Sequence, residues 1–243
     1  MNKMLTDMQL IHGDDFIAKN GIVVKHPKLE HLIRYSSTDV YGFAQLFCLQ
    51  PQDIMIDLWA NGIDFETLTD FDLFLILYSN GADRHQELFF EFMGVWFWEY
   101  CESENEKWLR GYDKEGVPIA ILDSETHSEL AWFFKKITCF ENAEKPKYAS
   151  NKTKEKLLDL EVESRDDEKQ TEDLMPMYIS ALVWGNTCGY NWKNIWELNF
   201  FQFNSGLRHL DKIKHTQALW GGYYSGTIEM KKIPKKDLDW KTI

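Results

Sequence analysis

The chain has 243 residues, a formal net charge of −12, 44% hydrophobic residues, 15% aromatic residues and ten Trp. That length and apolar content can build a packed core and exclude wholesale disorder. The acidic balance argues against a nucleic-acid partner, which is bound through clustered Lys and Arg, and against docking on anionic lipid.

The N-terminal "MNKMLTDMQLIHGDDF" lacks the apolar run of a secretory signal, and no segment approaches the roughly 20 apolar residues of a membrane span. The expectation is a protein made in the cytoplasm with no membrane partner. From Met8 to Pro27, "MQLIHGDDFIAKNGIVVKHP" reads as a β-hairpin, because two runs with β-branched residues flank Asn20-Gly21, a pair suited to the positive φ of a tight turn. Pro27 then opens a helix, "PKLEHLIRY". A second helix follows a Thr38 cap, with Val40, Phe43, Ala44 and Phe47 at helical spacing. Pro51 starts a third, "PQDIMIDLWANG", which Gly62 stops.

"NGIDFETLTDFDLFLILY" carries four carboxylates. Asp64 and Glu66 flank Phe65 in a connector, and Thr69 or Asp70 stands at an N-cap ahead of Phe71, Phe74, Leu75 and Tyr78. Acidic groups at a helix start are favoured by the macrodipole, so they need no catalytic role. "SNGADRHQ" has the composition of a turn. The aromatic "ELFFEFMGVWFWEY" then reads as two strands broken at Gly94, which "KWLRGYDKEGVPIAILD" extends into a small meander turning at Glu115-Gly116. Ser124 caps an amphipathic helix with Leu130, Phe133, Phe134 and Ile137 on its inner side.

Residues 141–173 are almost all polar and read as a partly helical linker. Beyond them, Pro176 begins a helix, and Trp192, Ile195, Trp196, Phe200, Phe203, Leu207 and Leu210 recur at spacings of three and four in two or three more, which Gly221-Gly222 and Gly226 end. The last stretch, "TIEMKKIPKKDLDWKTI", is basic, broken by Pro234, and reads as an arm.

No spacing supplies a catalytic or ligating set. The pairs Asp14-Asp15 and Asp70-Asp72 fit turn and cap chemistry. His26 with His31, and His209 with His215, lack metal-ligand spacing, as do Cys48, Cys101, Cys139 and Cys188, which form no CxxC pair and read as buried, reduced thiols. There is no GxSxG elbow, P-loop or GxGxxG. No catalytic, metal or cofactor-binding residue is therefore expected. The rival of a different class is an enzyme assembled in space from Cys188 with His85 or His127. The Trp and Tyr density fits core plus protein interface, since these residues anchor protein contacts most strongly.

Three segments carry a resemblance. "IHGDDFIAKNGIVVKHPKLEHLI", "LWANGIDFETLTDFDLFLILY", and "NIWELNFFQF" with "GLRHLDKIKHTQALWGGYYSGTIEMKKIPKKDLDW" are similar to elements of a family of proteins from tailed phages and prophages of Gram-positive bacteria, whose genes lie among those for virion morphogenesis. The chain departs from that pattern at His26, Lys28 and His31 and in its aromatic middle. The resemblance implies a non-enzymatic virion protein of the tail, baseplate or neck, assembled in the host cytoplasm, present in several copies, and touching other virion proteins such as the tape-measure protein. The alternative is a cytoplasmic tail assembly chaperone absent from the mature particle.

The expected architecture is α+β. It comprises an N-terminal β-hairpin plus helices and a small central antiparallel sheet (1–140), a charged linker (141–173), a helical unit (174–226) and a basic C-terminal arm (227–243). The expected interface anchors are Trp96, Trp98, Trp192, Trp196, Lys231, Lys232, Lys235, Lys236 and Trp240.

Overall fold

Thr6 opens the first helix, α1 (Asp7–His12), through a reciprocal capping box with Gln9, and Gly13 closes it at φ 86°. The computed structural model describes residues 4–104, 106–164, 173–185, 189–229, 231 and 233–239. "MQLIH" is thus helical rather than the first strand of the hairpin, because the Thr6 cap satisfies the helix start and a single turn sends Leu10 into the core. The hairpin is shorter than expected. β1 (Phe16–Ile17) pairs antiparallel with β2 (Val23–Val24) around Lys19–Gly21, where Asn20 and Gly21 take φ of 63° and 77°.

Pro27 does not start a helix at once. Its carbonyl accepts from the Phe200 N–H at 2.9 Å, and the Leu29 N–H donates to Leu198, so the backbone here pairs with the C-terminal half and α2 (His31–Arg34) begins late. α3 (Ser37–Cys48) is capped by Ser36. A 3₁₀ turn, Pro51–Ile54, leads into α4 (Met55–Ala60), and another, Phe65–Thr67, precedes the Thr69 cap of α5 (Asp70–Met93).

α5 overturns the turn and strand expected between Ser79 and Met93. The helix runs through "SNGADRHQELFFEF", with only Gly81 departing to φ −138°. Leu88, Phe89, Phe92 and Met93 fall on one buried face, and burying that face outweighs both the breakers and the β preference of the rings. Gly94 ends the helix in the left-handed region. β3 (Phe97–Glu102), β4 (Lys107–Tyr112) and β5 (Pro118–Leu122) then form an antiparallel meander in sequential order.

Asp123, one residue before the expected cap, starts α6 (Ser124–Thr138). The remaining helices are α7 (Asn151–Glu163), α8 (Met175–Trp184) and α9 (Phe200–Tyr224), with a 3₁₀ turn at Ile195–Glu197. The main core lies among α3, α5 and α6. Phe47 stacks on Phe74 at 5.1 Å and on Phe134 at 4.9 Å, while Phe43 meets Phe89 edge-on at 4.9 Å. Phe200 and Phe203 of α9 and Ile179 and Leu182 of α8 belong to the same core. A smaller cluster joins Leu58, Phe65, Leu73 and Leu158, so the polar segment also contributes a packed helix.

Candidate interaction surfaces

The strand period of two sends neighbouring rings of β3 to opposite faces. Trp98 takes the inner face: it is 6% exposed, lies opposite Gly111 and packs edge-on against Phe89 at 6.0 Å. Trp98 is therefore a core residue and not a surface anchor. Trp96 is half-buried, with Phe90 at 5.7 Å and the Lys114 ammonium 4.7 Å over its ring. The outer face of the sheet carries Phe97, stacked on Tyr112 at 4.6 Å, and exposes Ile119 and Ile121.

A second apolar surface forms where α2 and the start of α3 meet α8 and the 3₁₀ turn at Ile195–Glu197. Leu32, Ile33, Met175, Ile179, Trp192 and Trp196 line a groove of about 360 Å³, with Asp173, Ser37 and Ser180 among its polar groups. Trp196 is half-buried and donates from Nε1 to the Trp192 carbonyl at 3.0 Å, which fixes its indole; Trp192 stays exposed. Trp184 meets Trp192 at 6.4 Å and is 76% exposed. The structure thus brings Trp192 and Trp196 together and adds Ile33 and Trp184. Trp184 had a readable signal, a large ring at the polar end of the α8 pattern.

The described part of the basic arm folds back onto α9. The Thr216 hydroxyl donates to the Asp237 carbonyl at 3.3 Å, Lys212 lies 3.5 Å from the Asp237 carboxylate, and the 3₁₀ turn Lys235–Leu238 packs along the helix. Lys231 is exposed. Lys232 and Trp240, and the side chains of Lys235 and Lys236, lie outside the described residues. At the end of α9, Trp220, Tyr223 and Tyr224 form a mutual ring cluster, with Trp220 and Tyr224 stacked at 5.9 Å and Tyr224 78% exposed. The helix continues through Gly221-Gly222, expected as its stop, to Tyr224, and this brings the three rings together.

The ionisable groups proposed for chemistry sit differently. His85 and His127 are buried among rings, and Cys188 lies outside the described residues. Burial, helped by the Lys135 ammonium, pushes the His127 pKa down to about 4, and burial lowers His85 and His26 as well. Burial raises the Cys48 thiol to about 12, which keeps it protonated and unreactive. Among the described residues no group of three or more His, Cys, Asp or Glu could hold a metal ion.

Fold and surface together define an α+β protein that displays clustered aromatic rings on its exterior. Residues 168–242, which include α8, α9 and the folded-back arm, match the family model described as the YomV second domain, a phage- and prophage-associated family. No curated protein and no solved structure matches the chain significantly.

Proposed function

We propose that the chain is a non-enzymatic structural or assembly protein of a phage particle, acting through protein contacts in the tail, baseplate or neck. The observation that carries this reading is the match of residues 168–242 to a phage-associated family. The exposed rings support a contact role, since Trp and Tyr in grooves and at helix ends are the side chains that most often anchor interfaces. Surface rings of this density cost solubility and are kept where they are covered on assembly.

Mass spectrometry of purified particles tests the reading. Peptides of this chain at a copy number comparable with other particle proteins are expected. A chain abundant in the lysate but missing from particles would replace the component by the cytoplasmic chaperone of the tape-measure or another tail protein.

A further inference from the structure

We propose that the open edge of β3 takes an extended, basic segment of a partner protein as an added strand, with alternate apolar side chains of that segment entering the groove between the sheet and α5. The inference rests on the contact role proposed above and names the kind of partner.

β3 ends the three-stranded sheet, and among the described residues no strand pairs with its outer side. The Ser103 N–H donates to the Glu106 carbonyl at 2.8 Å, which sets the phase of the β3–β4 ladder. Antiparallel pairing alternates, so Cys101 and Glu99 bond to β4 while the N–H and C=O groups of Tyr100 and Glu102 point away from the sheet. In the same phase the Trp98 carbonyl accepts from the Tyr78 hydroxyl at 3.4 Å, where α5 flanks the strand. The other edge is attended by the hairpin turn, whose Asn20 amide donates to the Ile121 carbonyl of β5 at 3.4 Å. Beside the open edge, on the face that Trp98 and Tyr100 share, lies a groove of about 450 Å³ lined also by Leu68, Leu75, Ile76 and Leu109. Unpaired strand backbone next to an apolar groove recognises an extended chain: the ladder supplies affinity, and the groove selects every second side chain.

Charge selects the occupant. β3 and the turn after it expose Glu99, Glu102, Glu104 and Glu106. β4 answers with Lys107 and Arg110, and Lys107 is already bound to Asp72 at 2.8 Å. Residues 97–112 therefore carry a charge of −2. Two copies pairing edge to edge would bring their Glu side chains together, which is how charged edges prevent self-association. A segment that alternates apolar residues with Lys or Arg satisfies the groove and the acidic rim at once.

Fluorescence anisotropy of a labelled, end-capped peptide of alternating Lys and Val, titrated with the purified full chain, tests the proposal. Paired antiparallel with its Val side chains on the groove face, the peptide aims its Val backbone groups at Tyr100 and Glu102. Saturable binding that weakens with salt is expected. Methylating the Val backbone nitrogens is expected to weaken it about tenfold or more through the lost hydrogen bonds, while methylating the Lys backbone nitrogens, which point away from β3, leaves it in place. A peptide of alternating Glu and Val is expected not to bind. Tyr100→Pro removes the chain's own outward donor and spares the β4 ladder, so it is expected to lower binding as the Val methylation does, and a melting curve like the parent's verifies its fold. Absence of Lys-Val binding, or binding indifferent to Val methylation or to Tyr100→Pro, overturns the proposal. Self-association of the chain that Tyr100→Pro abolishes would overturn it too, by placing a second copy on the edge. Because the readout uses purified protein and synthetic peptide alone, a failure here sinks only the added strand and leaves the particle role to be decided by mass spectrometry.

Discussion

The Lys154 ammonium sits 4.6 Å over the Phe65 ring and binds the carboxylates on either side of it, Asp64 at 2.9 Å and Glu66 at 2.6 Å. Its side chain is only 7% exposed. Burial alone would lower the Lys154 pKa, but the two carboxylate hydrogen bonds outweigh it and hold the ammonium above its usual value. Here the dense acidic stretch acquires a role: its connector clamps α7, whose Leu158 is buried beside Leu58, Phe65 and Leu73. The indole of Trp59 adds a hydrogen bond to Asp159 at 2.8 Å.

Lys154→Met keeps the stem against Phe65 and removes the charge. The two carboxylates are about half exposed, so solvent screening trims the ion-pair share, and the expected loss is about 1–2 kcal/mol. The loss should be local. Hydrogen exchange across Asn151–Glu163 is expected to speed up while α3, α5 and α6 keep their protection. Unaltered exchange in α7 would show that Leu158 holds the helix without the clamp.

Gly111 faces Trp98 across the ladder, and a Cβ there would lie 2.8 Å from the indole and 2.9 Å from Val95. Neither neighbour can yield easily, because both are buried. Gly111→Ala is therefore expected to cost about 1–3 kcal/mol as overpacking and to displace the indole. Thermal melting gives the cost, and a red shift in Trp emission reports the displacement. A melting temperature matching the parent protein would mean that the sheet slides to make room.

Asn20 performs two tasks that separate substitutions can divide. Its positive φ shapes the hairpin turn, and its amide donates to the Thr126 hydroxyl at 3.0 Å and the Asp123 carboxylate at 3.2 Å, tying the turn to the start of α6. Asn20→Gly keeps the turn and loses the ties, while Asn20→Ala loses both, so the alanine variant is expected to be less stable by about 1 kcal/mol more. Denaturant melts of the pair check the order; equal stabilities would assign the residue's whole effect to its amide.

Local chemistry made much of this architecture readable. The Thr69 cap, the Asn20-Gly21 turn, the turn at Gly116 and the inner face of α6 all follow from residues acting within a few positions of one another. The failures came from distant partners. Residues 79–93 contain Gly81 and a run of rings that locally favour a turn and a strand; only the facing Phe43 and Phe47 of α3 make a helix there the better burial. The late start of α2 has the same origin, since Pro27 and Leu29 bond to residues of the C-terminal half. Of the surface, the rings of Trp192 and Trp196 were legible in the sequence as candidates. Their groove was not, because Ile33 and Ile179 approach from elements far away in sequence.

His127 makes stability depend on acid. Its imidazole lies against Phe71 at 5.5 Å and Phe74 at 4.9 Å, stacks on Phe47 at 6.1 Å, and among the described residues has no hydrogen-bond partner at Nε2. Burial brings its pKa to about 4 in the folded protein, against 6.5 for an ordinary His. As pH falls from about 6.5 the unfolded chain takes up a proton that the folded chain refuses, so stability is full above that value and drains away down to about 4, by an amount on the order of 3 kcal/mol. His26 and His85, also lowered by burial, push in the same direction. The carboxylates held low by their partners, Asp39, Asp64, Asp72 and Asp123, lose their contributions in a more acidic window, which separates the two effects. His127→Leu, apolar and of similar size, should flatten the stability curve between pH 6.5 and 4 without changing the limb below it. Urea melts across that range decide the matter: a variant whose stability still falls as steeply as the parent's would clear His127 and leave the slope to the other two imidazoles.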